Sequence, residues 1–230
     1  MDCAAHRMFA LIPAAGRSRR MRTSKLLLPW QGTTVIEHLI ATLTRPDIAA
    51  VVIVMRPDDV ALQAVVQRTS AVAVVPDHEP PDMRDSVEIG LRAIRQRFAP
   101  TDDDGWLLIP ADHPLLEAEV LDGLLTRWSR RDGEALLPTF NHKRGHPTLL
   151  RWSLAARVEQ LPPDVGVNAL LRSPATLVTE WPTDRESVLA DLDTPEDYAY
   201  WQQKLAQRKV LAATDTQDRW RACAVRDSRG

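Results

Sequence analysis

Short apolar runs alternate with longer amphipathic stretches along most of this chain. The runs are apolar at nearly every position, which predicts strands buried on both faces: Phe9–Ile12, Val51–Met55, Val72–Val75, Trp106–Ile109 and Ala135–Leu137. The stretches repeat their apolar residues at helical spacing and predict helices at Thr34–Leu43, Asp58–Arg68, Ser86–Arg97 and Ala118–Arg130. This alternation indicates an α/β fold, with a mostly parallel twisted sheet covered by helices on both faces.

The pattern becomes less regular between residues 141 and 191. A turn is predicted at Arg144–Pro147, followed by a short strand at Thr148–Leu150 and helices near Trp152–Gln160 and Val165–Leu171. A last helix begins near Thr194 and runs toward Gln207, and beyond it the sequence turns polar and mixed. We therefore expect a single domain over residues 8–208 and a loosely ordered tail at 209–230.

Ligands of parallel α/β sheets bind beyond the carboxyl ends of the strands. Three segments follow predicted strands in this way: Pro13–Lys25, Pro76–Ser86 and Pro110–Pro114. We expect them to converge on one site.

A loop rich in small residues and cations follows the first predicted strand. Three small residues, Ala14, Ala15 and Gly16, let the backbone approach a ligand closely. Five cations come in the same loop: Arg17, Arg19, Arg20, Arg22 and Lys25. Backbone N–H donors combined with such charge suit the oxygens of a triphosphate. The alternative, a solvated basic turn after a buried strand, accounts less well for so many cations beside small residues.

This loop differs from the two common nucleotide-binding motifs. A P-loop has a glycine directly before its lysine, whereas Ser24 precedes Lys25 here. A dinucleotide fingerprint needs three spaced glycines, and only Gly16 is present. The remaining pattern is small-small-Gly-x-Ser-x-Arg-Met, from Ala14 to Met21, with Lys25 beyond it.

Two acidic positions suit a divalent cation. Asp112 follows a predicted strand and is well placed to hold Mg²⁺ between phosphates, although it equally suits a turn before Pro114. Asp191 and Asp193 share one face of an extended segment and repel each other unless a cation lies near them. The same segment also suits a helix N-terminus, with Thr194 or Asp193 as the cap. Both roles are compatible; we assign Asp193 as a metal ligand and Asp191 as its neighbour or alternate.

Two further turns are candidate contacts. Asp85 and Ser86 open a predicted helix, where either one caps it or Ser86 reads the edge of a nucleobase. Gly145 and His146 form a turn before Pro147, and His146 is placed to donate to a phosphate or to an acceptor if the turn lies in the cleft.

Composition adds few constraints. The chain has 230 residues, 26% of them charged, and a net charge of -2, so no nucleic-acid-binding surface is expected and the basic loop is a local feature. Cys3 and Cys223 lie near opposite ends, which indicates no disulfide framework or metal cluster. No apolar run approaches the length of a membrane span. We expect a soluble, cytoplasmic protein without membrane contact.

Taken together, these motifs resemble the molybdenum cofactor nucleotidyltransferases, and among them the cytidylyltransferases. The resemblance runs from about Met8 to about Trp201. It rests on Ala14–Met21, Lys25, Leu27–Trp30, Ser86–Val87, Asp112, Gly145–Pro147 and Asp191–Asp197.

The resemblance implies a three-layer α/β/α, Rossmann-like nucleotidyltransferase fold. Residues 8–140 form its nucleotide-binding part and residues 141–193 its acceptor-side part. It implies catalytic roles for Arg20, Lys25 and Asp112. Contacts to the nucleotide are assigned to Pro13, Ala14, Ala15, Gly16, Arg17, Ser18, Arg19, Arg20, Lys25, Asp85 and Ser86. The acceptor side takes Gly145 and His146, and the metal ligands are Asp112 and Asp193, with Asp191 as the alternate.

The same resemblance implies substrates and partners. Mg²⁺ is the expected cation, with Mn²⁺ as an alternative, and CTP is favoured over GTP because the loop reads Ala-Ala-Gly. The acceptor is a small phosphorylated molecule of the molybdopterin type, and a molybdoenzyme or its chaperone is the expected protein partner. The protein is expected to be a monomer or a weak homodimer.

Three positions depart from the family pattern. Arg22 stands where a glycine usually follows Arg-Met, and Ala111 and Asp82 also replace common glycines. Other hypotheses stay open: a sugar-phosphate or methylerythritol-phosphate cytidylyltransferase on the same fold, or a non-catalytic protein that holds a cofactor for a molybdoenzyme.

Overall fold

The structure is a computed structural model that describes residues 6–17, 24–130, 132–162 and 165–207. Its strands within these ranges are β1 (Met8–Pro13), β2 (Pro29–Trp30), β3 (Thr33–Thr34), β4 (Ala50–Val54), β5 (Val72–Val74), β6 (Gly105–Leu108), β7 (Ala135–Phe140), β8 (Lys143–Arg144), β9 (Thr148–Arg151) and β10 (Val178–Pro182). Its α-helices are α1 (Val35–Leu43), α2 (Val60–Val66), α3 (Met83–Phe98), α4 (Ala118–Trp128), α5 (Ala155–Glu159) and α6 (Asn168–Arg172). Short 3₁₀ helices lie at Lys25–Leu27, Trp152–Leu154 and Glu186–Leu189.

The main sheet has the strand order β10-β7-β9-β6-β1-β4-β5, with β8 paired to β7. β1 pairs in parallel with both β4 and β6, and β4 pairs in parallel with β5. β9 lies between β6 and β7 and is antiparallel to both. The predicted α/β fold with a mostly parallel sheet is therefore confirmed.

The centre of the sheet is covered on both faces. All six residues of β1 are buried, as are all four of β6. Phe9 and Leu11 join α3 and α5 in one core cluster, which also contains Trp106 of β6. Ala10 and Ile12 are equally buried and point to the opposite face, because side chains alternate along a strand. This double coverage explains why the central strands are apolar at every position.

Helix α3 begins earlier than its apolar spacing predicts. Its first residue is Met83 rather than Ser86, because the side chain of Asp82 caps it by accepting a hydrogen bond from Asp85 N at 2.9 Å. The prediction that Ser86 or Asp85 is the cap is therefore wrong.

Some short elements carry no sequence signal of their own. β10 is the edge strand beside β7, and its five residues are exposed or half-buried, so they form no apolar run. The hairpin of β2 and β3 has only two residues in each strand. Their pairing is a product of the surrounding fold rather than of local hydrophobic pattern.

The chain divides into two compact units, Met1–Asp191 and Leu192–Gly230. The second contains a helix at 195–207. Thr194 and Asp197 cap it reciprocally: Asp197 N donates to Thr194 Oγ1 at 3.2 Å, and Thr194 N donates to Asp197 Oδ2 at 2.9 Å. The capping role of this segment is thus observed, while the single domain over residues 8–208 stays a prediction. Among the described helices, none has both the length and the hydrophobicity to cross a bilayer.

Candidate functional site

The loops after β1, β5 and β6 meet at the carboxyl edge of the sheet. Arg17, in the loop after β1, donates to Glu79, which follows β5. Lys25, at the end of the loop after β1, donates to Asp112, which follows β6, at 2.6 Å. These two contacts bring the described parts of the three segments to the same edge of the sheet, and their convergence on one ligand site stays a prediction.

The small residues after β1 form an open surface. Ala14 and Ala15 are buried, whereas Gly16 is exposed, and a Cβ built on Gly16 would meet no atom within 4 Å. Neither packing nor a positive φ therefore requires glycine here, and its lack of a side chain leaves the backbone accessible. Ala14 N donates to Val54 O at 2.8 Å, so this N–H extends the pairing of β1 with β4 and is not available to a phosphate. Pro13, the last residue of β1, has no N–H to offer.

Arg17 is held by carboxylates at the mouth of this loop. Its Nε donates to Glu79 Oε1 at 2.7 Å, and its Nη2 donates to Asp58 Oδ2 at 3.1 Å. The hydrogen bond and charge of Glu79, followed by the charge of Asp58, raise the pKa of the Arg17 guanidinium above its ordinary value. The predicted contact of Arg17 with a nucleotide therefore competes with two carboxylates already bound to it.

Arg56 supports the same loop from β4. Its Nη1 donates to Gly16 O at 3.0 Å, and its Nε donates to Asp58 Oδ1 at 2.8 Å. Sequence reasoning did not identify this residue, because an arginine beyond a strand has no distinctive spacing. Ser18, Arg19 and Arg20, which were predicted to bind the nucleotide, and Arg22 lie outside the described residues.

The ion pair of Lys25 with Asp112 lies at the centre of the site. Lys25 begins the 3₁₀ helix Lys25–Leu27, and its side chain is 15% exposed, compared with 25% for Asp112. Lys25 Nζ is the one hydrogen-bond donor that the described residues offer to the Asp112 carboxylate. Several lone pairs of Asp112 therefore stay available, in a partly buried position where charge is screened weakly.

Two histidines, one buried and one half-buried, lie near this ion pair. His113 is completely buried, and its ring packs edge-on against His146 with centroids 5.8 Å apart and an interplanar angle of 71°. Both ring nitrogens of His113 and Nδ1 of His146 are buried without a hydrogen-bond partner among the described residues. His113 Nδ1 lies 3.7 Å from Asp191 Oδ1, a distance of an ion pair rather than of a hydrogen bond. The sequence singled out His146 and Asp191 but not His113.

Burial and neighbouring charges set the protonation states of His146 and Asp191. Burial and the nearby His113 lower the pKa of His146 to about 4, although Asp191 and Asp112 oppose that shift. Burial alone would raise the pKa of Asp191, but the adjacent His113, together with His146 and Lys25, lowers it below its ordinary value. At neutral pH, His146 is thus an uncharged imidazole and Asp191 a carboxylate.

The turn at Gly145 and His146 is fixed by its backbone. A Cβ on Gly145 would lie 2.4 Å from Val188 O, so only glycine fits against the 3₁₀ helix Glu186–Leu189. His146 N donates to the same Val188 O at 2.8 Å, and the His146–Pro147 peptide bond is cis. The turn therefore has a structural role, which was one of the two interpretations of its sequence. It also brings His146 to His113.

The first turn of α3 holds the two remaining candidates. Ser86 is 2% exposed, and its Oγ donates to Asp82 O at 3.1 Å. Asp85 is half-buried and accepts a hydrogen bond from Arg84. Both hydrogen bonds stay within this turn, and the proposed reading of a nucleobase by Ser86 stays a prediction.

Oxygen ligands for a hard divalent cation are present but few. Asp112 has lone pairs available, in keeping with the oxygen donors that Mg²⁺ and Mn²⁺ prefer. No group of three or more His, Cys, Asp or Glu side chains in the described part of the chain is placed to hold a metal. Asp193 belongs to the second unit, so its pairing with Asp112 stays a prediction.

Known proteins resemble this chain over most of its length. The sequence pattern of the MobA-like NTP transferase domain matches residues 10–179. The molybdenum cofactor cytidylyltransferase of Escherichia coli (strain K12) is 23% identical over 188 residues, which are 82% of this chain and 92% of that protein. The bifunctional protein GlmU of Clavibacter sepedonicus is 30% identical over 146 residues, 61% of this chain, and this chain spans only 29% of its length.

Solved structures share the fold. Rv0371c from Mycobacterium tuberculosis H37Rv, in complex with manganese, superposes with a TM-score of 0.69 at 23% identity, covering 84% of this chain and 97% of the other.

Proposed function

We propose a specific reaction for this chain, which belongs to the family of MobA-like NTP transferase domains and is thus a nucleotidyltransferase. It transfers CMP from CTP to a phosphorylated acceptor of the molybdopterin type. The observation that carries the proposal is the Lys25–Asp112 ion pair, which joins the loops after β1 and β6 at 2.6 Å. It sets a cation and a carboxylate at the same edge of the sheet as the exposed backbone of Gly16, as a metal-bound triphosphate requires.

The choice of CTP has two supports. The loop reads Ala14-Ala15-Gly16, the form that the cytidylyl branch of the resemblance favours. The similar protein of Escherichia coli is named a molybdenum cofactor cytidylyltransferase, and it aligns with most of this chain.

Each group has a distinct part in the proposed reaction. The terminal phosphate of the acceptor attacks the α-phosphorus of CTP in line, a new P–O bond forms, and pyrophosphate leaves with the electrons of the broken bond. Lys25 and Arg20 offset the charge on the α-phosphoryl and pyrophosphate oxygens. Asp112 would hold a divalent cation, Mg²⁺ or Mn²⁺, which would neutralise phosphate charge, and the predicted second ligand is Asp193 or Asp191.

No general base is required for this attack. A phosphate monoester has its second pKa near ~6, so at neutral pH the acceptor is already mostly a dianion. The neutral His146 therefore serves as a polar contact for the acceptor rather than as a proton acceptor. Rate acceleration comes from positioning and from charge stabilisation.

A pyrophosphate-release assay tests the proposal. CTP, GTP and UTP are each incubated with Mg²⁺ and molybdopterin, and release with CTP should exceed release with the other two. Asp112→Ala should lower the rate by about 10³-fold, because the carboxylate at the reacting phosphates is lost. Asp102→Ala, an exposed aspartate on the segment before β6, is the matched control and should keep full activity.

Each outcome of these experiments tests one part of the proposed function. A fully active Asp112→Ala variant contradicts the metal assignment. Release with a sugar phosphate or methylerythritol phosphate, but not with molybdopterin, favours the sibling cytidylyltransferase. A wild-type protein that binds CTP, measured by thermal shift, yet releases no pyrophosphate with any acceptor favours the non-catalytic hypothesis.

A further inference from the structure

His113 is a buried titratable residue to which the proposed reaction assigns no part. Its ring is completely buried, and neither nitrogen has a hydrogen-bond partner among the described residues. Buried polar groups are normally paired, because leaving one unpaired costs about 1–3 kcal/mol. A phenylalanine or leucine would fill the same volume without that cost. The histidine therefore calls for an explanation other than packing.

The neighbours of His113 supply that explanation. The residue before it is Asp112, which is paired with Lys25. Its ring meets the ring of His146 edge-on at 5.8 Å, and its Nδ1 faces Asp191 Oδ1 at 3.7 Å. One buried ring thus contacts both His146 and Asp191.

Among the described residues, the side chains of His146 and Asp191 have little other support. His146 is fixed through its backbone N, which donates to Val188 O, while its Nδ1 is unpartnered among the described residues. The Asp191 side chain is about half exposed, and its one ion-pair partner in the described chain is His113. Removing the His113 ring would free the His146 side chain to rotate and leave Asp191 without its partner.

We propose that His113 is a positioning residue for the acceptor half of the reaction: it holds the imidazole of His146 by edge-to-face contact and orients the carboxylate of Asp191. This inference rests on the proposed function, which assigns His146 to the acceptor, and it takes Asp191 as a second acceptor contact rather than as the alternate metal ligand. His113 itself is buried and does not touch the acceptor.

Three substitutions separate the two contacts. His113→Phe keeps an aromatic edge against His146 but removes the nitrogen that faces Asp191. His113→Asn places an amide nitrogen near the position of Nδ1 but removes the ring. His113→Leu removes both contacts. His38→Leu, on α1, is the matched control.

Steady-state kinetics with CTP and molybdopterin provide the first readout. His113→Leu should raise the KM for molybdopterin about tenfold and leave the KM for CTP unchanged, because only the acceptor contacts are misplaced. His113→Phe and His113→Asn should each recover part of the loss. In an Asp191→Ala background, the change from His113 to Phe should have little further effect, since its lost contact is already absent.

A purely structural role gives a different result. If His113→Leu only lowers the melting temperature, or raises both KM values equally, the positioning role is wrong. Equal loss in all three variants, without partial recovery, also contradicts it.

A second readout does not depend on the acceptor. Histidine-labelled NMR of the free protein should show that the His146 ring resonances shift and broaden in His113→Leu and stay unchanged in His38→Leu. An unchanged His146 signal in His113→Leu overturns the inference. A wild-type protein inactive with molybdopterin contradicts the proposed acceptor instead, and the NMR result still decides the role of His113.

Discussion

Two ion pairs flank the neighbouring strands β1 and β6, one at each end. Arg7, before β1, binds Asp104, before β6, with Nη2 and Oδ2 2.7 Å apart. Lys25, beyond β1, binds Asp112, beyond β6, with Nζ and Oδ2 2.6 Å apart. In both pairs, a cation from the β1 side meets an aspartate from the β6 side, at nearly equal distance. Their surroundings differ in almost every other respect.

The pair at the amino end is saturated with hydrogen bonds. Asp104 accepts from the backbone N of Arg7 and of Thr101 at 2.8 Å, and also from two guanidinium nitrogens of Arg7. Arg7 also donates to Phe98 O and Ala99 O, which ties the end of α3 to the sheet. Burial alone would raise the pKa of Asp104, but the hydrogen bonds from Arg7 and Thr101 outweigh it and lower the pKa. Such a network stabilises the fold and leaves little capacity for a ligand.

The pair at the carboxyl end is unsaturated. Asp112 accepts one hydrogen bond from the described residues, and the adjacent His113 has two unpartnered ring nitrogens. Polar groups left without partners lower stability, and they are retained where a ligand uses them. The comparison therefore separates a cation–carboxylate pair saturated by contacts of the fold from one that keeps capacity for a ligand, which is the pair that we propose for the reaction.

Removing Lys25 should produce the largest effect. Lys25→Met should lower kcat/KM for CTP by about 10²–10³-fold, because the phosphate oxygens lose a fixed cation. Arg7→Met is the matched control at the other end of the strands, and its folded fraction should keep wild-type kinetics. The pyrophosphate-release assay measures both variants. Equal kinetic losses in the two would show that the ends of the strands do not differ in function.

Removing the charge of Asp104 should act on stability instead. Asp104→Asn should lower the free energy of unfolding by about 3 kcal/mol, because a buried network loses its charged acceptor. Urea denaturation measures the change, and Asp102→Asn, which is exposed, should show almost none. A change below 1 kcal/mol in Asp104→Asn would mean that the amino-end network contributes little to the fold.

Mild acid should weaken the protein by a smaller amount, and from the carboxyl end first. The folded pKa of His146 is about 4, below its ordinary value, so the unfolded chain binds more protons between about pH 6.5 and pH 4. Stability therefore falls as the pH drops through that window. Asp104 adds a loss only below its ordinary pKa near ~3.9, where its network begins to protonate.

Urea titrations across this range measure the loss. His146→Gln should remove most of the decline between pH 6.5 and pH 4, and His78→Gln, an exposed histidine, should leave it in place. A decline that persists in His146→Gln contradicts the assignment to this imidazole.

The sequence predicted the parts of the fold that depend on local pattern. The central strands were evident because two-sided burial makes β1, β4 and β6 continuously apolar. β10 was missed because an edge strand is half exposed and is held by its pairing with β7. The early start of α3 was missed because Asp82 is polar, and a cap is recognised only when its side chain meets the helix N–H groups.

The sequence predicted those site residues that are charged and lie in the segments after predicted strands. Lys25 and Asp112 were identified from such positions, and the structure brings them together. His113 was overlooked because the sequence does not reveal that its ring is buried and unpartnered. His113 and His146 are 33 positions apart in the sequence. Their contact depends on the register of the strands, which only the folded sheet defines.

The close approach of Gly145 to Val188 has an evolutionary consequence. Because Gly145 cannot carry a side chain there and His146 N is bonded to Val188 O, the main chain of this turn is fixed independently of the residue at position 146. A lineage can therefore replace the side chain at position 146, while the main-chain position from which it projects is inherited unchanged.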